Sequence, residues 1–88
     1  MARLLHEYAT QVSDHEGTRY TVRSYGEQRA DGTWTGWLEF TPEAASNKLL
    51  KTREETSQPN LTDLEYWASG LEPVYLDGAL ARAQDRLL

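Results

Sequence analysis

The sequence predicts an α+β fold, in which a three- to four-stranded antiparallel β-meander has one face covered by one or two C-terminal helices. Two loops predict the meander, because residues 14–18 and 29–33 each place a glycine where a three-residue hairpin loop needs a left-handed backbone. Apolar residues at helical spacing in the last third of the chain predict the helices. A sheet with one apolar face needs a second layer, so we expect the two parts to pack together.

The length and composition limit the classes of protein to consider. At 88 residues we expect a single domain, with the sheet at about 3–54 and the helical tail at about 60–87. The chain has no cysteine, which excludes disulfide bonds and thiolate chemistry. No basic start precedes an apolar run, and no stretch approaches the ~18 apolar residues of a membrane span. We therefore expect a cytoplasmic protein without membrane contact, and the net charge of −5 argues against a nucleic-acid binder.

Three strands are predicted over residues 3–12, 18–28 and 33–41. The two loops fix their register, since a slip by one residue would mix apolar with charged side chains on each face. One face then collects the apolar residues that we expect in the core. These residues are Leu4, Tyr8, Val12, Tyr20, Val22, Trp34, Leu38 and Phe40.

Pairing across the strands supports this register on both faces. The predicted pairs are Val12 with Tyr20, Thr10 with Val22, Tyr8 with Ser24, Gln28 with Trp34, Ser24 with Leu38, Val22 with Phe40, Arg23 with Glu39 and Tyr25 with Trp37. The last two lie on the face opposite the core. An ion pair and an aromatic pair across strands each stabilise a sheet by about 0.2–1 kcal/mol.

Beyond the meander the pattern is weaker. Residues 43–47 are predicted to form a loop and residues 48–54 a fourth strand, whose facing is ambiguous because Leu49 and Leu50 are adjacent. Residues 57–60 are predicted to end that strand and start a helix.

Two short helices are predicted in the tail. Asn60 is the expected N-cap of the first helix, with Thr62 as its rival, and Gly70 is expected to end it in a left-handed conformation. Pro73 suits the first turn of the second helix. The apolar positions of that second helix are Leu76, Leu80, Ala83 and Leu87.

Six short runs carry a likeness to other proteins: residues 25–34, 36–40, 53–56, 58–60, 66–68 and 73–76. In these runs, which spread over most of the chain, the sequence resembles a family of small bacterial proteins of unknown function. The resemblance implies a bacterial origin. It implies no particular activity, cofactor or site residue.

The sequence holds no recognisable catalytic or metal-binding set. Its two histidines, His6 and His15, are too few for a zinc site of three or four ligands in a chain without cysteine. There is no Gly-x-Ser-x-Gly elbow, and Glu54 and Glu55 would point to opposite faces as neighbours in a strand. We therefore expect no enzymatic activity, no cofactor and no bound metal.

The outer face of the meander is the surface most suited to binding. Its candidate interaction residues are Arg19, Arg23, Tyr25, Trp37 and Glu39. If the helices cover the other face, we expect Trp37 to be partly exposed beside Tyr25, with both as apolar anchors and Arg23 as a polar orienter. Alternatively, Trp37 lies flat on its own sheet under long arginine side chains and binds nothing.

Three kinds of binding remain open. We expect first a protein partner or self-association through the outer face. The second is single-stranded nucleic acid, whose bases would stack on the aromatic rings while basic side chains meet phosphates. The basic residues that could extend this patch are Lys48, Lys51 and Arg53, and the acids that would repel phosphates are Glu7, Glu27 and Glu39. The third is the addition of a partner strand at an unpaired sheet edge.

Overall fold

A computed structural model of the chain describes residues 1–44 and 48–85. The described residues form six strands and two helices in an α+β arrangement. The elements are β1 (Arg3–Glu7), β2 (Val12–Ser13), β3 (Arg19–Gln28), β4 (Trp34–Pro42), β5 (Leu50–Lys51), β6 (Thr56–Gln58), α1 (Leu61–Ser69) and α2 (Pro73–Asp85). The sheet is antiparallel, in the order β1-β3-β4-β5, with β2 beside β3 and β6 beside β4.

The long hairpin β3–β4 confirms the register that the second loop predicts. Arg29 N–H donates to the Thr33 carbonyl at 2.7 Å, and Gly32 takes a φ of 89°. Gly17 takes a φ of 83° in the first loop, so both glycines supply the left-handed residue that these loops need. The pairs of the hairpin are Gln28 with Trp34, Tyr25 with Trp37, Ser24 with Leu38, Arg23 with Glu39 and Val22 with Phe40.

The prediction of one continuous strand over residues 3–12 is wrong. Val12 pairs with Tyr20 as predicted, but β1 has shifted by two residues, and His6 rather than Tyr8 lies opposite Ser24. The segment between β1 and β2 therefore has two residues more than a continuous strand would have. Within this segment, the Tyr8 hydroxyl donates to the Ala68 carbonyl of α1 at 2.6 Å. The strand is therefore interrupted where a phenol bridges the sheet and a helix.

A second irregularity in β1 moves Leu4 away from the core, where it was predicted to lie. The register shifts between Leu4 and His6, so Leu4 lies opposite Tyr25 on the outer face of the sheet. Leu5 takes the inner side instead, with its Cδ1 3.3 Å from the point where a Cβ of Gly26 would lie. A bulge of this kind exchanges the two faces for every residue that precedes it.

The fourth strand is present but short, and the sheet continues beyond its predicted end near residue 54. Leu50 faces the core and Leu49 is exposed, which resolves the ambiguity of these neighbours. Thr52 lies buried after β5, where its N–H donates to the Leu38 carbonyl at 2.9 Å and its hydroxyl accepts from Leu38 N–H at 3.0 Å. Two extra residues, Arg53 and Glu54, then interrupt the pairing before β6.

Helix α1 begins and ends where the sequence predicts. The Asn60 side chain accepts from the backbone N–H of Asp63 at 2.8 Å, which is an N-cap bond. At the other end, Gly70 donates its N–H to the Trp67 carbonyl and has a φ of −94°. The prediction of a left-handed Gly70 is therefore wrong, because the helix closes with a tighter right-handed turn.

The core lies between the inner face of the sheet and both helices. Leu64 of α1 packs over Gly36, where an added Cβ would come within 2.9 Å of a Leu64 methyl group. Trp34 and Tyr8, predicted in the core, are only half-buried at its margin. The main core cluster is Val12, Tyr20, Val22, Leu38, Phe40, Leu50, Leu76, Ala79, Leu80 and Ala83. The end of the predicted loop at residues 45–47 and the predicted helical position Leu87 lie outside the described residues.

Candidate interaction surface

The outer face of the sheet consists of the residues of β3 and β4 that alternate with the core residues, together with their partners on β1 and β5. Since both helices pack on the inner face, the described part of the chain leaves the outer face to its own side chains. Arg23, Tyr25, Trp37 and Glu39 lie together at the centre of this face, as predicted from the register. Arg19 lies apart from them at the start of β3, opposite Ser13.

A row of alternating charges crosses the outer face from one sheet edge to the other. We call it the charge row: Glu7, Arg23, Glu39 and Lys51, each the direct partner of the next. Arg23 Nε donates to Glu7 Oε1 at 3.0 Å. Residues directly opposite in antiparallel strands share a face, so acid and base alternate within interaction distance over four strands. The row is neutral as a whole.

A second row runs beside the charge row and is apolar. This apolar row consists of Leu4, Tyr25 and Trp37 on β1, β3 and β4. The rings of Tyr25 and Trp37 are 6.3 Å apart at an interplanar angle of 19°. Leu4 is 49% exposed, whereas Tyr25 is half-buried. Within the apolar row, the accessible surface therefore belongs to Leu4 and Tyr25.

The expectation that Trp37 is partly exposed is wrong, because Trp37 is only 8% exposed. The Lys51 ammonium lies 4.8 Å from the centre of the indole ring, and Trp37 Nε1 donates to Glu39 Oε2 at 3.1 Å. The alternative that Trp37 lies against its own sheet is closer to the structure, with a lysine in place of arginines above it. The buried indole contacts a cation and a carboxylate of the charge row, so it links the charge row to the apolar row.

Leu4 is the member of this surface that the sequence pattern missed. Its parity in a regular strand places it on the core side, and only the bulge at Leu5 brings it beside Tyr25. No residue type marks that bulge in the sequence. A pattern of two adjacent leucines, Leu4 and Leu5, is the one signal that could have raised the question of which of them faces inward.

A shallow cleft of about 520 Å³ adjoins the apolar row where β5 gives way to β6. Trp37, Lys51, Arg53 and Glu54 contribute to its walls. Glu54 is held in place by an ion pair with Arg29 and by the Thr35 hydroxyl, which donates to it at 2.9 Å. The cleft therefore has mixed polar and apolar walls, to which residues of the outer face contribute together with Leu50, Thr52 and Ala83 from the core side of the sheet edge.

The paired carboxylates Glu54 and Glu55 point away from each other, as predicted. Whereas Glu54 contacts Arg29 in the β3–β4 loop and Thr35 of β4, Glu55 pairs with Arg82 of α2 and accepts a hydrogen bond from the Tyr75 hydroxyl at 2.6 Å. Burial, together with this bond to the Glu55 carboxylate, raises the pKa of Tyr75 to about 12. These contacts fix the second helix to the sheet, and each carboxylate has its own partner.

The two histidines lie apart in the fold. The ring of His6 lies 4.7 Å from that of Tyr8 near the sheet edge, and His15 lies exposed in the first hairpin loop. Within residues 1–44 and 48–85, no group of three or more His, Asp and Glu side chains is arranged to hold a metal ion. In the same part of the chain, neither helix has the length and apolar character needed to cross a bilayer.

Comparison with known proteins found no relative of this chain. No family model matches the chain, and neither a curated protein nor a solved structure matches it. The resemblance to small bacterial proteins of unknown function therefore stays a prediction.

Proposed function

We propose that the protein is a non-enzymatic, cytoplasmic module that binds another protein or a second copy of itself through the outer face of its sheet. The observation that carries this proposal is the apolar row, in which Leu4 is 49% exposed beside Tyr25 on a face that the helices leave uncovered in the described residues. Apolar and aromatic side chains at the centre of a patch with a charged rim are typical of protein interfaces.

The charges of this face favour a protein over a nucleic acid. The guanidinium of Arg23 already donates to Glu7, and Glu39 occupies the next position of the charge row. Trp37 is buried beneath Lys51, so its ring is not available for a base to stack on. Single-stranded nucleic acid remains the alternative. It would quench tryptophan fluorescence in a salt-dependent manner, and we expect no such response.

The test compares a variant of the outer face with a matched variant of the helical face. Leu4→Glu places a charge in the apolar row, while Val74→Glu makes the same chemical change at a 77% exposed position of α2. The tagged wild type and both variants would each be used to capture partners from an extract of the source cells. Quantitative mass spectrometry would then compare the proteins captured by each. We expect specific partners to be lost with Leu4→Glu and kept with Val74→Glu. Partners that survive Leu4→Glu unchanged would contradict the proposal.

A further inference from the structure

We propose that the occupant of the outer face is a second copy of this chain, packed face to face about a two-fold axis that runs parallel to the strands, between β3 and β4. This inference rests on the proposed function, since it names the partner for the same surface. It is carried by the order of charges in the charge row, which is complementary to itself only when reversed.

The rotation determines which strands meet. A half-turn about an axis between β3 and β4 reverses the order of strands across the sheet. As a result, β3 lies opposite β4 of the second copy and β1 opposite its β5. Arg23 then faces Glu39 of the second copy, and Glu7 faces Lys51 of the second copy. Every acid of the charge row meets a base, and the symmetry repeats each contact twice, as in an isologous dimer.

The other face-to-face arrangement fails on the same charges. A two-fold axis perpendicular to the strands keeps the strand order. An axis midway between the two rows would place the charge row of one copy on the apolar row of the other, and an axis along the charge row would make each of its residues face the same residue of the second copy. Arg23 would meet Arg23 and Glu39 would meet Glu39 across the interface. Opposed like charges cost several kcal/mol in an interface. The alternation of signs therefore selects the axis parallel to the strands.

The apolar row and the cleft fit the same rotation. Tyr25 lies opposite Trp37 of the second copy, because these two residues are partners within one sheet. Leu4, at the β1 end of the apolar row, lies opposite the region where β5 gives way to β6. That region holds the cleft of about 520 Å³ beside Trp37 and Arg53. The exposed Leu4 thus meets a concave part of the second copy. The arrangement also agrees with the usual geometry of sheets packed face to face, whose strand directions stay within about 30° of each other.

The size of the face sets the expected strength. The strands β1, β3, β4 and β5 have 5, 10, 9 and 2 residues. At a strand spacing of about 4.8 Å and a rise of about 3.4 Å per residue, they give a flat area of roughly 400 Å² per copy. Specific interfaces of standard size bury about 800 Å² per partner, so this face has about half the standard area and lies in the range of weak, transient encounters. We therefore expect a weak dimer that forms and dissociates with concentration.

The experiment exchanges the charges of the row in three ways. The acidic variant carries Arg23→Glu with Lys51→Glu, and the basic variant carries Glu7→Lys with Glu39→Lys. The inverted variant carries all four changes, so its charges alternate within the chain as before but with opposite sign. Sedimentation equilibrium over a concentration series measures self-association, and native mass spectrometry of ¹⁵N-labelled with unlabelled chains detects mixed dimers.

We expect the wild type and the inverted variant each to dimerise with itself, but not with the other. The acidic and basic variants should self-associate at least ten-fold more weakly than the wild type and form a mixed dimer when combined. The inverted variant keeps its charge pairs within the chain but loses the Lys51 and Glu39 contacts of Trp37. Circular dichroism therefore checks the fold of every variant, and a second pair of variants, Arg23→Glu and Glu7→Lys, leaves the contacts of Trp37 intact and should show the same weakened self-association.

Two outcomes would overturn the inference: a wild type that stays monomeric at every concentration, or mixed dimers of wild type and inverted variant that form as readily as the homodimers. Neither result would remove the proposed function, which fails separately if captured partners are indifferent to Leu4→Glu.

Discussion

The Lys51 ammonium lies 4.8 Å from the centre of the Trp37 ring, where it closes the outer face over an indole that is only 8% exposed. The contact joins β5 to the centre of the hairpin and gives Trp37 a structural role. Because the indole is enclosed, the surface that a partner can reach is formed by Leu4 and Tyr25 on one side and by the charge row on the other.

Replacement of Trp37 should therefore weaken the fold. We expect Trp37→Ala to lower the free energy of unfolding by about 3 kcal/mol, because it removes a buried aromatic side chain and leaves a cavity under Lys51. Leu4→Ala, on the same face but 49% exposed, should change it by no more than about 0.5–1 kcal/mol. Urea titration followed by circular dichroism measures both. An unchanged unfolding midpoint for Trp37→Ala would show that the indole is not enclosed.

The close approach of α1 to the sheet gives a second prediction. Gly36→Ala would bring a Cβ to 2.9 Å from Leu64 and 3.0 Å from Thr56, so we expect a loss of about 1–3 kcal/mol in stability. Gly78→Ala is the matched control, since its Cβ would meet only Arg82 at 3.5 Å within α2. Alanine there should stabilise the helix by about 0.5–1 kcal/mol. Thermal unfolding measures both variants. If the two substitutions shift the unfolding temperature in the same direction, this packing of α1 on the sheet is contradicted.

Alkaline titration tests the contact between α2 and the strand interruption. Burial and the neighbouring Glu55 raise the pKa of Tyr75 from 10.0 to about 12. A raised pKa means that the folded state favours the neutral phenol. Its contribution to stability is therefore complete below pH 10 and is lost as the pH rises through about 12.

The corresponding measurement is the ultraviolet absorbance of tyrosinate in the wild type and in Tyr75→Phe. The difference between the two titrations should have its midpoint near pH 12, and the stability difference between them should shrink over the same interval. A difference titration centred near pH 10 would mean that the Tyr75 hydroxyl is not bound to Glu55.

The sequence specified the hairpin β3–β4 well because two kinds of local information agree there. The loop around Gly32 fixes which residues pair, and the partners Arg23 with Glu39 and Tyr25 with Trp37 are favourable only in that register. The bulge at Leu5 has no such signature. The bulge reverses the facing of Leu4 because of how β1 pairs with β3. The periodicity of residues along β1 alone carries no information about that pairing.

The sequence predicted four residues at the centre of the candidate site, but it missed Leu4 and did not predict the burial of Trp37. Arg23, Tyr25, Trp37 and Glu39 share a face because of strand alternation, which follows from the register alone. The burial of Trp37 depends on Lys51, whose strand could not be placed while the facing of residues 48–54 was ambiguous. The solvent exposure of a side chain such as Trp37 depends on contacts with strands that are not its hairpin neighbours.

The most direct test of the central claim is the self-association of the wild type, Leu4→Glu and Val74→Glu, measured by sedimentation equilibrium over one concentration series. We expect the wild type and Val74→Glu to dimerise with the same dissociation constant, and Leu4→Glu to dimerise at least ten-fold more weakly. Equal dissociation constants for wild type and Leu4→Glu, or a wild type that is monomeric throughout, would contradict the claim that the outer face binds a second copy.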